Sequence, residues 1–395
     1  MERKDRDLMK TNALRLKISL FTLVFTSLCL PGSRALAEQR PEVDSAMKKF
    51  FTAMLNLQPF AQSEEKFRDP ANREVISQDL ATLAGLKHVF PKKMAKEEPG
   101  IAAIAGIYAE SMQDIADRFK AGNLDYVRHR VRTLPEFCLS CHTRVQSDRD
   151  FLDVEDRVDQ FQGTPFQKAE LLAATRQFDK ATTALLAVLD GKPKGEMGFL
   201  EYTRALRYFL YLTVRVKADP ELTVRTLDRL SKRRDLPEYD QRLVAGYLKD
   251  ADFWRKHPTA GRDLSGEVLV KRAKELVERA NSLQLFATDE SGDISYLRAT
   301  GYLHQALDHD PTAKYRGEAL YLLGITYHSL EEPVLWQLDT MYLQACVREN
   351  PHTPIARDCY GKYASIIYFG YTGSAGTDIP EDELKKLGNL RQISQ

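Results

Sequence analysis

Residues Phe137–Arg144 read FCLSCHTR, which places Cys138, Cys141 and His142 in the spacing C-x-x-C-H. Two thiols three residues apart lie on one helical turn. Each can form a thioether to a vinyl group of the same porphyrin, while the adjacent imidazole supplies an axial nitrogen to the iron. The chemistry expected is covalent attachment of one c-type haem, with Cys138 and Cys141 as anchors and His142 as an iron ligand. A thioredoxin-like redox pair is the first rival, but it sits in a strand–helix setting that this chain does not show. Half a zinc site is the second; it needs another ligand pair at short spacing, and no other Cys or His cluster lies nearby. Only one such motif is present, which disfavours multi-haem wires and di-haem peroxidases.

The elements that must position the motif are helices. Val43, Met47, Phe50, Met54 and Leu57 recur at helical spacing in a first segment. Ile76, Leu80, Leu83, Leu86 and Phe90 mark a second that stops at Pro91. Ile104, Tyr108, Met112, Ile115 and Phe119 mark a third, and Leu124, Val127, Val131 and Leu134 lead into the motif in a fourth. Four such stripes joined by modest connections predict a four-helix bundle over residues 38–150. Pro135, three residues before Cys138, should kink or restart the last helix. Almost no stretch of the chain alternates with period two, so the fold class expected is all-α.

The motif closes this unit instead of opening it. That order resembles the class II c-type cytochromes, the cytochrome c-prime family of four-helix bundles. The likeness is carried by LKHVFP at the end of the second helix, KAGNLDYV into the fourth and FCLSCHTRV at its close. It implies that the first helix supplies either a Met to the sixth iron position or an apolar residue that leaves the iron five-coordinate. In an up-down bundle the start of the first helix lies beside the end of the fourth. Met47 sits near that start, whereas Met54 is about 10 Å deeper at ~1.5 Å per residue. By the resemblance Met47 is the sixth ligand; a Met on an apolar stripe is otherwise a core residue. His88 and His129 are weaker candidates. Arg144 could pair with a haem propionate, and a surface arginine is the alternative reading.

Residues 151–164 read as a linker, and internal similarity begins at 165. KAELLAATRQFDKATTALLAVLDG, Lys168–Gly191, reads as helix, short turn and second helix. YLRATGYLHQALDHDP spaces Ala299, Leu303, Ala306 and Pro311; KYRGEALYLLGITYHSL follows with Leu323, Gly324 and Tyr327. These resemble tetratricopeptide repeats, in which small residues let paired helices approach. LQACVRENP repeats the ending, with Cys346 in place of Ala306. Cys346 is thereby expected on one helix and Cys359 on the next, where an oxidising compartment allows a disulfide; two buried thiols are the alternative. Residues 197–285 are helical in pattern and match the repeat poorly. The region 165–378 is expected to be a tetratricopeptide-like α-solenoid, with 379–395 a capping helix behind the glycine-rich stretch FGYTGSAGTD. His304, His309, His328 and His352 are scattered and read as solvated. Trp254 and Trp336 could serve a partner-binding surface or simply pack.

The first 37 residues combine a charged start, the apolar run Ile18–Leu30 and Ala35-Leu36-Ala37, which predicts a secretory signal peptide. They hold seven Lys/Arg against three Asp/Glu, so with the whole chain at +1 the remainder is near −3. That charge does not fit a nucleic-acid binder. No later segment is apolar enough to span a membrane. A periplasmic protein is expected, without a membrane span after cleavage. No nucleophile motif or HExxH suggests an enzyme. The leading expectation is single-electron transfer by one covalent haem, with redox partner proteins docked on the helical repeats. A five-coordinate haem binding NO or CO, and a repeat scaffold with a mainly structural haem, are the alternatives.

Overall fold

The computed structural model describes residues 40–85, 99–143, 158, 161, 163–258, 264–286, 289–310, 313–330 and 338–395. The expected signal peptide and most of the expected linker lie outside the described residues. The described chain is all-α apart from one two-residue hairpin, Thr372–Gly373 with Gly376–Thr377.

The first helix, α1, runs Arg40–Gln62 and buries Phe51, Met54, Leu55 and Leu57. It is followed by α2, Glu64–Arg68, whose N-cap Ser63 accepts a hydrogen bond from the Lys66 amide. Next come α3, Arg73–Ala84, and α4, Pro99–Lys120. Helix α3 turns Ile76, Leu80 and Leu83 inward, and α4 turns Tyr108, Met112, Ile115 and Phe119 inward. Both stripes fall at the three-and-four spacing read in the sequence. Helix α4 stops at Gly122, which adopts φ +84°, a conformation costly for residues with a Cβ.

The fourth stripe is carried by two helices, α5 at Leu124–Arg132 and α6 at Leu134–His142. Pro135 is the reason. It has no N–H and its ring clashes with the carbonyl four residues back, so a helix ends before it and a new one starts with Pro in its first turn. The carbonyl four residues back, that of Val131, instead accepts a hydrogen bond from the buried Gln58 amide of α1 at 3.4 Å. The break in the helix thereby ties α5 to α1.

The second half starts with α7, Pro165–Ala174, and α8, Phe178–Asp190. Thr164 and Gln167 cap α7 reciprocally: the Thr164 hydroxyl accepts from the Gln167 amide, and the Gln167 side chain accepts from the Thr164 amide. Helix α9, Gly195–Leu210, continues into a π-helical stretch, Tyr211–Val216. Then follow α10, Pro220–Ser231; α11, Glu238–Lys256; α12, Gly266–Leu283; and α13, Asp293–His309. The last are α14, Arg316–Leu330; α15, Leu338–Glu349; α16, Pro354–Gly370; and, after the hairpin, α17, Glu381–Ser394.

From α7 onward most consecutive helices pack against each other. Small residues allow this: Ala299 and Ala306 of α13 are fully buried, and a Cβ on Gly324 of α14 would meet Leu343 Cγ of α15 at 2.6 Å. Cys346 of α15 and Cys359 of α16 form a disulfide with their Cα atoms 6.2 Å apart, both wholly buried. The two halves share one core, since α6 packs on α7 and α4 on α15, and Glu42–Gln395 form one compact unit. No described helix is long and apolar enough to cross a membrane.

Candidate functional site

Helix α6 presents Leu134, Cys138 and His142 on one stripe, at i, i+4 and i+8, along one wall of an apolar cleft. Helix α1 adds Met47, Lys48, Phe50, Phe51 and Met54 to the lining, again at helical spacing. Leu83 of α3 and Tyr108 of α4 complete the apolar part of the lining. The cleft holds ≈ 490 Å³ of non-atom space, its open mouth included. The cavity itself is only ≈ 40 Å³, far below the roughly 300–1,000 Å³ of small-molecule sites, so a ring could enter only where the lining side chains move apart; that lining is mostly hydrophobic.

His142 carries the most informative contact. Its Nδ1 lies 2.6 Å from the backbone carbonyl oxygen of Ala174. A carbonyl only accepts, so Nδ1 is the protonated nitrogen. The imidazole is also held neutral. Removal of water around the ring pushes its pKa down to about 3, and the positive charge of Arg176 adds to this, against the favourable Ala174 contact. A neutral ring protonated at Nδ1 has its lone pair on Nε2, the form in which imidazole binds a metal.

Cys138 and Cys141 are not joined by a disulfide. Burial pushes the Cys138 thiol up to about 12, and the neighbouring Cys141 pushes the same way. Reactive redox cysteines show the opposite, a lowered pKa in an electropositive setting. Among the described residues no group of three or more His, Cys, Asp or Glu could hold a bare metal ion. Of the motif residues, Cys138 and His142 line the apolar cleft, and Cys141 is not part of its lining.

The motif-bearing helix also takes part in a charge cluster in which Glu170 is buried and Glu136 and Arg204 are partly so. Arg204 of α9 donates to Glu136 of α6 and, at 2.8 Å, to Glu170 of α7. Its guanidinium stacks 4.9 Å from the centre of the Phe166 ring. Loss of water raises the Glu170 carboxyl to about 8, with Arg204 opposing and Glu136 reinforcing the rise. Glu136 is raised for the same leading reason. These residues join the motif-bearing helix to α7 and α9.

The structure gathers Met47, Cys138 and His142 at one cleft, and adds Met54, which the sequence argument had placed too deep. Arg144, His88 and Trp336 lie outside the described residues. His129 is exposed on α5, away from the cleft lining. His304 departs from the expected solvated surface. It is buried on α13, with Nε2 2.8 Å from the Tyr327 hydroxyl, because it shares the inward face with Leu303 and Ala306. Trp254 is also buried, with the Arg298 guanidinium 5.2 Å from its ring centre. The residues missed were Ala174, Thr175 and Arg176. Their only signal was their place in the short turn of LLAATRQFDK.

In comparison with known proteins, the chain matches no family model, no curated protein and no solved structure.

Proposed function

We propose that this chain is an exported monohaem c-type cytochrome that transfers single electrons, built from a four-helix bundle followed by a tetratricopeptide-like solenoid that docks redox partners. The observation that carries this reading is the convergence of Cys138, His142 and Met47 on one apolar cleft, with His142 Nδ1 hydrogen-bonded to Ala174. Cys138 and Cys141 would anchor the ring, His142 would be the proximal ligand and Met47 the distal one. When bound, haem supplies a one-electron change at iron. The chain holds the imidazole neutral and oriented, keeps the Cys138 thiol protonated until it reacts, and lines the cleft with Phe50, Phe51, Leu83 and Leu134. Helices α1 and α3 to α6 are the bundle of this reading. The helices from α7 onward, packed on their neighbours, are the array, and repeat arrays present extended surfaces to partners.

The test is absorption spectroscopy of protein produced where c-type maturation operates. A covalently retained haem with a low-spin spectrum indifferent to CO is expected. Met47→Ala should make it high-spin and CO-responsive, whereas Met54→Ala should not. A wild-type spectrum that is high-spin and shifts with CO would replace electron transfer with gas binding.

A further inference from the structure

We infer that the part of α1 from Met47 to Leu55 is the movable wall of the cleft and that it swings about Pro59. The inference rests on the haem reading above for the occupant alone. It goes beyond that reading by naming the element that must give way.

The cavity of ≈ 40 Å³ does not fit a porphyrin. Benzene, a far smaller ring, occupies a cavity of about 150 Å³. Close-packed side chains leave little slack, so the missing volume has to come from displacing a whole element. Helix α1 is the element placed to move. It contributes more side chains to the lining than any other, whereas α6 packs closely on α7 and α3 on α4. Its far end is tied down. The Gln58 amide donates to the Val131 carbonyl at 3.4 Å, the Arg128 guanidinium to the Ala61 carbonyl at 3.4 Å, and the Gln62 amide to the Gln167 side chain at 3.3 Å. Helix α2 extends the anchor, with the Arg68 guanidinium 2.6 Å from Asp125 of α5. The weak link is Pro59, inside the helix. It has no N–H for the Leu55 carbonyl and its ring crowds that oxygen, so α1 bends most easily there. A helix fixed at one end and interrupted beside the fixed end moves as a hinged unit. Swinging out uncovers Phe51 and Met54, which favours the closed arrangement until a hydrophobic occupant covers them again.

The experiment times methionine oxidation by peroxide in the full-length chain produced without c-type maturation, read by peptide mass spectrometry. Met54 and Met112 are equally buried, at 2% and 1% exposed, but only Met54 lines the cleft. Opening of α1 alone should oxidise Met54 about tenfold or more faster than Met112, which global unfolding would expose together with it. Pro59→Ala returns a donor to the Leu55 carbonyl. It should slow Met54 about fivefold, the worth of one net hydrogen bond, and leave Met112 unchanged. Equal rates for the two methionines in wild type, or a Met54 rate indifferent to Pro59→Ala, would overturn the inference and leave the haem reading standing. A chain whose Met54 outruns Met112 yet takes up no haem under maturation keeps the hinge and overturns the haem reading.

Discussion

Glu170→Gln should change how stability depends on pH more than it changes stability at any one pH. Glu170 is 3% exposed and shares the Arg204 guanidinium with Glu136. Burial cuts the Glu170 carboxylate off from water, and the neighbouring Glu136 charge adds to the penalty that Arg204 only partly offsets. The carboxyl therefore rises from 4.5 to about 8 in the folded protein. The folded state then keeps a proton that the unfolded state releases above pH 4.5, so unfolding free energy falls as pH climbs to 8. At about 1.4 kcal/mol per pH unit the full interval is worth on the order of 5 kcal/mol; sharing the proton with Glu136 and local relaxation reduce this to about 2–5 kcal/mol. Gln retains an acceptor for Arg204 and carries no charge, so this loss should vanish in the variant. Urea unfolding of both proteins at pH 5, 6.5 and 8.5 measures it. Stability of wild type minus variant should decline steadily across that range. Parallel curves, or a wild type gaining on the variant as pH rises, would refute the reasoning.

Two further outcomes concern stability. Replacing Cys346 and Cys359 by Ser reopens a loop closed across 13 residues, which should cost about 3 kcal/mol in urea unfolding. A wild type equally stable with and without reductant would count against that bond. Thr164→Ala removes the cap of α7 and should cost about 0.5–2 kcal/mol by the same assay. Because α7 carries Ala174, the variant should also broaden the haem absorption bands, and an unchanged stability would show that the capping box contributes nothing.

The helices were legible because their apolar stripes are local patterns. Ile76, Leu80 and Leu83 fall on one face whatever the tertiary fold, and Pro135 announces its own break through the N–H it lacks. The C-x-x-C-H spacing is a local pattern of the same kind, confined to a single helical turn. What the sequence hid were contacts between distant segments. Nothing local links His142 to Ala174, and they meet only because α6 and α7 pack together. Arg176, Arg204, Glu136 and Glu170 carry no local mark in a chain with 29% charged residues, and only packing brings Arg204, Glu136 and Glu170 together and buries Arg176 and Glu170. Met47 and Met54 differ by two turns along α1, yet both border the same cleft, which a depth argument along one helix could not foresee. His304 misled because a histidine on an apolar face has no sequence mark that separates it from one on a wet face.

The central claim is that Cys138 and Cys141 hold one haem whose iron is bound by His142. The most direct test is the pyridine haemochrome spectrum of denatured, acetone-extracted protein expressed with c-type maturation, beside Cys138→Ser with Cys141→Ser. The account predicts one haem per chain that resists extraction, with the spectrum of a doubly thioether-linked ring, and its complete loss in the double variant. A protein that emerges colourless, or one whose haem is extracted by acid acetone, would contradict it.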